Sequence, residues 1–179
     1  MKKILFLLLL TACSSVQRST PGQQSAAASD SPVMGLVTLT SSYCGGARPT
    51  DEVMQEYNTP KPYAGKVLYF REGDKNDLNK KIVAKTVTND SGYFEVKLPV
   101  GTYAIILEEQ LKKANPGNFA TPNTISVDSL CLAQWWETPL KVITVSSKVP
   151  PEKIQLNFHR ECFISKDIPC LRYNGPMPP

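Results

Sequence analysis

Five cysteines and a single histidine are the side chains best suited to chemistry in this 179-residue chain. The cysteines stand at Cys13, Cys44, Cys131, Cys162 and Cys170, and neither a Cys-x-x-Cys pair nor a histidine-rich run is present, so the ligand spacing of a zinc site is missing. His159, with Cys162 three residues on, has the composition of a thiol nucleophile and its base. The surrounding pattern argues otherwise: Ile154, Leu156 and Phe158 alternate with Gln155, Asn157 and His159, which puts the histidine on the polar face of a strand. Asp74, Asn76 and Asp77 have the oxygen ligands of a calcium loop without its glycine and terminal glutamate, and read as a charged hairpin tip. An isopeptide crosslink needs a lysine on the first strand, and Val33 to Thr40 contains none to face Asn157. These residues assign no catalytic group, metal or cofactor. Tyr43, Tyr57, Trp135 and Trp136 are the binding candidates, because they fall in the two least periodic stretches and aromatic rings make platforms for peptides or sugars.

The N-terminus carries a more specific signal. Met1-Lys2-Lys3 is basic, Ile4 to Leu10 is apolar, and Leu10-Thr11-Ala12-Cys13 follows directly. The apolar run is far shorter than the roughly 20 residues that span a bilayer. It resembles a bacterial lipoprotein signal peptide with its lipobox. The resemblance implies that residues 1–12 are removed and that Cys13 carries a diacylglyceryl thioether and an N-acyl chain, making the membrane the first partner. Several acyl chains hold stably where one holds marginally. Ser14, where an aspartate would favour the inner membrane, points to the outer membrane, facing the periplasm. Residues 13–32 are rich in Ser, Gln, Ala, Thr and Pro and read as a flexible tether with a reach of roughly 25 Å.

With Cys13 assigned to lipid, Cys44, Cys131, Cys162 and Cys170 form an even set in an oxidising compartment, which predicts two disulfides. All three pairings are open. Cys162 with Cys170 around the Ile168-Pro169 bend, and Cys44 with Cys131, is the favoured one.

The elements that must position these residues are strands. Val33 to Thr40, Val67 to Phe70, Ile82 to Thr88, Tyr93 to Leu98, Thr102 to Leu107, Leu140 to Val145 and Lys153 to His159 are predicted, separated by turn residues such as Asn89-Asp90-Ser91-Gly92 and Pro99-Val100-Gly101. Helical turns are expected within Asp51 to Tyr57 and Asp128 to Trp136. This order argues for an all-β, seven-stranded antiparallel β-sandwich with short helical insertions. Gly35-x-Val37, Pro62 to Val67 and the long stretch Thr88 to Ile105 resemble the carboxypeptidase regulatory-like domains, whose fold is transthyretin-like. The resemblance implies a non-catalytic interaction module, and Tyr103 is similar to the tyrosine of a tyrosine corner. The sandwich is expected over residues 33–170, followed by a Pro-rich tail over 171–179, a ligand for a partner or an edge strand of its own domain. A net charge of +4, including Lys2 and Lys3 of the leader, gives no basic face for nucleic acid. The expected function is therefore a lipid-anchored binding or assembly module for an envelope protein or glycan. The alternatives are an enzyme with a site in the insertion loops or a structural spacer.

Overall fold

Thr88 to Leu107 folds as its pattern requires. In a computed structural model describing residues 30–148 and 153–176, the Asn89 side chain closes the turn by accepting from the Ser91 and Tyr93 amides at 3.0 and 2.9 Å. Gly92 takes φ +74°, and a Cβ there would collide with the Val37 carbonyl, so glycine is needed twice over. Tyr93–Leu98 then buries Phe94, Val96 and Leu98 while Tyr93, Glu95 and Lys97 face out. After the next turn, Gly101–Ile106 buries Tyr103 and Ile105, and the Tyr103 hydroxyl donates to the Pro99 carbonyl at 2.9 Å.

Ten strands and two helices occur among the described residues. In chain order they are β1 (Ser31–Ser41), α1 (Asp51–Asn58), β2 (Lys61–Pro62), β3 (Val67–Glu72), β4 (Ile82–Val87), β5 (Tyr93–Leu98), β6 (Gly101–Ile106), β7 (Ile125–Val127), α2 (Ser129–Glu137), β8 (Lys141–Val145), β9 (Ile154–Arg160) and β10 (Leu171–Tyr173). One sheet runs β4-β3-β6-β8, all antiparallel. The other is built on β1. Its Ser31 to Leu36 half pairs with β5, and Thr38 and Leu39 pair with β2 on the same edge. The opposite edge pairs with β9. The inward residues of both sheets, among them Val33, Val37, Leu68, Phe70, Phe94, Leu98, Ile105 and Ile154, make the main core. A second, smaller core lies beneath α2 and contains Leu132, Ile164, Ile168, Cys170 and Leu171. No helix among the described residues is long and apolar enough to cross a membrane.

The chain is all-β as expected, with departures that have physical causes. The β1–β9 pair is parallel, from Gly35↔Ile154 to Ser41↔Arg160, so the antiparallel expectation fails at that edge. The first strand starts at Ser31 because Leu98 and Lys97 of β5 offer ladder partners to Ser31 and Pro32, two residues expected in the tether. The tail likewise begins inside the fold, since Leu171 is buried and β10 pairs with β7. The segment between β3 and β4 is not a free charged tip. Buried Arg71 donates to the Asp77 carbonyl at 2.7 Å, and buried Asn76 donates to the Gln110 and Trp136 carbonyls at 2.9 and 2.7 Å. The leader, Cys13, the rest of the tether and residues 177–179 lie outside the described residues.

Candidate functional site

The parallel register of β1 and β9 decides where the cysteines go. Both strands end at the same rim, with Ser41 beside Arg160, and the Ser42 amide continues the ladder by donating to the Arg160 carbonyl at 2.9 Å. Cys44 and Cys162 leave that rim together and form a disulfide with a Cα–Cα distance of 5.5 Å. The second disulfide joins Cys131, in the first turn of α2, to Cys170, which precedes β10. The β10–β7 ladder brings those two together, since Leu171 pairs with Val127 and the Asp128 amide donates to the Cys170 carbonyl at 3.0 Å. The favoured pairing of Cys162 with Cys170 and Cys44 with Cys131 is thus replaced by Cys44–Cys162 and Cys131–Cys170. Sequence proximity around Ile168-Pro169 was a poor guide because the intervening loop packs Ile164 and Ile168 into the small core and carries Cys170 away to α2.

An open groove of about 480 Å³ lies between the first disulfide and β10. Tyr43, Cys44, the Glu161 to Ile164 segment, Pro169 and Leu171 to Asn174 line it. Its aromatic wall is Tyr43, Phe163 and Tyr173, with the Phe163 and Tyr173 ring centroids 4.7 Å apart. Phe163 has φ +63°, a conformation that a bulky side chain adopts only when its surroundings enforce it. Here the Cys44–Cys162 bond on one side and buried Ile164 on the other hold the backbone, leaving the Phe163 ring 37% exposed on the groove. Tyr57 of α1 packs edge-on against Tyr43, with centroids 5.5 Å apart, so the two tyrosines named from the sequence stand together. The two tryptophans do not join them. Trp135 packs against both cores, and the Trp136 indole N–H donates to the Lys112 carbonyl at 2.5 Å. Phe163, Arg172 and Tyr173 were not singled out in the sequence, although Phe163 directly follows a cysteine and Leu-Arg-Tyr has the alternation of a short strand.

Two polar clusters flank this rim. In the first, buried Asp167 accepts from the Tyr63 hydroxyl at 2.7 Å and from the Lys66 ammonium at 2.5 Å, while Arg160 donates to the Tyr63 hydroxyl at 2.7 Å. Burial and the adjacent Asp167 carboxylate push the Tyr63 phenol up to about 12, so it stays protonated and serves as a donor. Tyr63 and Phe158 meet edge to face at 5.6 Å under Lys66, which ties the loop between β9 and β10 to the start of β3. In the second cluster, the exposed His159 ring contacts Thr40 through Nδ1 and Ser42 through Nε2, each at 2.9 Å, and the Ser42 hydroxyl also donates to Glu161 at 3.1 Å. Cys162 is oxidised, so it is no thiol for His159 to activate. Among the described residues, no three His, Cys, Asp or Glu side chains are arranged to hold a metal.

The groove therefore offers rings, an arginine and a strand edge, which are means of binding. Set against protein-family profiles, curated proteins and solved structures, the chain matches none.

Proposed function

We propose that this chain is a lipid-anchored protein of the bacterial envelope, held at the outer membrane through Cys13, whose transthyretin-like sandwich is a non-catalytic binding module. The observation that carries the reading is the cysteine inventory. Four of the five cysteines are joined to one another in two disulfides, bonds that persist in oxidising compartments. The one left over, Cys13, is the cysteine of the lipobox-like stretch. The transthyretin-like assignment is supported by the seven longest strands, which with β2 make up the two large sheets, and by the Tyr103 hydroxyl bonded back to Pro99. The binding role is supported by the aromatic groove beside Phe163, and its partner is an envelope protein or glycan.

Replacing Cys13 by Ser tests the anchor. The variant is expected in the soluble fraction, and retention in washed membranes would overturn the anchoring. Crosslinking of the native protein in membranes is then expected to capture a specific partner in place of the most abundant envelope proteins.

A second reading is favoured by one contact. Ser42 and His159 stand 2.9 Å apart, the geometry of a serine nucleophile and its base. The pair lies open on the sheet surface, and the Ser42 amide is occupied by the Arg160 carbonyl, so it cannot serve as an oxyanion donor. The binding role therefore stands ahead of hydrolysis.

A further inference from the structure

We infer that the groove takes an extended peptide, added as a third strand along the free edge of β10, with Tyr173 as the pairing residue and Arg172 selecting an acidic side chain. The inference rests on the reading of the chain as a binding module and names the ligand class of its groove.

Strand alternation carries the first step. The Asp128 amide donates to the Cys170 carbonyl at 3.0 Å and the Asn174 amide to the Thr124 carbonyl at 2.8 Å, with Arg172 opposite Ser126 between them. Residues 170, 172 and 174 therefore turn their backbone groups toward β7, and Leu171 and Tyr173 turn theirs the other way. The Leu171 amide reaches the Ile168 carbonyl at 3.4 Å. Among the described residues, the Tyr173 N–H, the Tyr173 C=O and the Leu171 C=O meet no backbone partner. This is the groove side, since Leu171 to Asn174 line the groove and no residue of β7 does. Unmatched donors and acceptors on a sheet edge are a template for another strand.

The walls supply the rest of the recognition. An added strand presents alternate side chains to one face, where Tyr43 and the Phe163–Tyr173 pair offer apolar contact. Arg172 is exposed and lines the groove, and no carboxylate lies within ion-pair distance of it among the described residues. Glu161 also lines the groove and repels an acid placed beside it, which leaves Arg172 as the place for the acidic side chain. A sugar would use the rings but would not need the paired N–H and C=O of Tyr173.

The test is selection of random peptides displayed on phage against the intact purified protein, followed by fluorescence anisotropy with the resynthesised peptides. Enriched sequences are expected to share an acidic residue beside an apolar one, and Arg172→Ala should weaken them about tenfold. Methylating single backbone nitrogens of the peptide should weaken binding at one position by about tenfold and be tolerated at its neighbours, because only alternate amides face β10. This readout leaves the protein unaltered. Uniform tolerance of methylation, no enriched peptide, or binding of arrayed glycans in place of peptides would overturn the inference. Continued release of the Cys13→Ser variant and continued capture of a crosslinked partner in those cases would show that the failure belongs to the groove and not to the anchored binding module.

Discussion

The molecule has two cores held by different means. The sandwich core rests on strand packing: β5 and β9 bury every second residue, and β6 is buried on both faces from Tyr103 to Ile106. The annex under α2 has five buried residues, Leu132, Ile164, Ile168, Cys170 and Leu171, and three-residue strands. So small a core offsets little ordering entropy by itself. It is held by the Cys131–Cys170 bond, by the side chains of Asn76 and Gln110 on the carbonyls around the end of α2, and by Asp167 on Lys66 and Tyr63. The candidate groove is walled partly by each region, so its shape depends on crosslinks at least as much as on packing.

Removing the disulfides one at a time gives the widest separation between the regions. On loop closure alone, Cys44–Cys162 closes a 118-residue span worth about 5 kcal/mol and Cys131–Cys170 a 39-residue span worth about 4 kcal/mol. That difference of about 1 kcal/mol is at the bottom of the 1–3 kcal/mol expected for placing an unpaired hydroxyl where Cys170 is 2% exposed. The Cys131→Ser, Cys170→Ser double variant should therefore lose more urea stability than Cys44→Ser, Cys162→Ser, and hydrogen exchange should show the annex opening while β5 and β6 stay protected. The reverse order of stabilities would mean that the annex core holds without its bond. Mild reductant should act in the opposite sense and open exposed Cys44–Cys162 first.

The same division sets what was legible in the sequence. β1, β5, β6 and β9 were legible through alternation and β3 through an apolar run between Pro and Gly breakers, and Asn89 and Gly92 marked the reversal before β5. β7 and β10 are three residues long, too short for a period to register, and β2 contains Pro62. The cysteine pairing was hidden because it follows from the parallel β1–β9 register, which local pattern does not encode. Tyr63, Lys66 and Asp167 escaped notice for a similar reason, since Lys66 and Asp167 meet across 101 residues. The aromatics were half legible. Tyr43 lines the groove with Tyr57 packed on it, whereas Trp135 is a wedge between the cores.

That wedge offers the next test. Trp135→Ala removes the side chain that touches both cores, and since the ring is half-buried the cost should be about 2–3 kcal/mol, below the 3–5 of a fully buried tryptophan. If Trp135 couples the regions, the variant should unfold in two steps, annex first, as read by Phe163 and Tyr173 exchange against Phe94. A single cooperative transition at lower urea would show that the two cores remain one unit without it.

The smallest effect is set by pH at the Tyr63 contact. Its phenol titrates at about 12 in the folded chain against 10 when unfolded, so below pH 10 both states hold the proton and this group gives stability no slope. Between pH 10 and 12 the unfolded chain releases the proton first, and stability should fall as pH rises. Tyr103, also pushed up by burial, contributes a slope of the same sign from within the sandwich. Tyr63→Phe should cost about 1–2 kcal/mol at pH 8 through the lost bond to Asp167, with Lys66 still neutralising that carboxylate. It should also flatten the alkaline fall without abolishing it, because Tyr103 remains. Urea midpoints of the two proteins at pH 8, 10 and 11 decide the matter, and parallel curves would remove Tyr63 from the set of contacts that hold the annex to the sandwich.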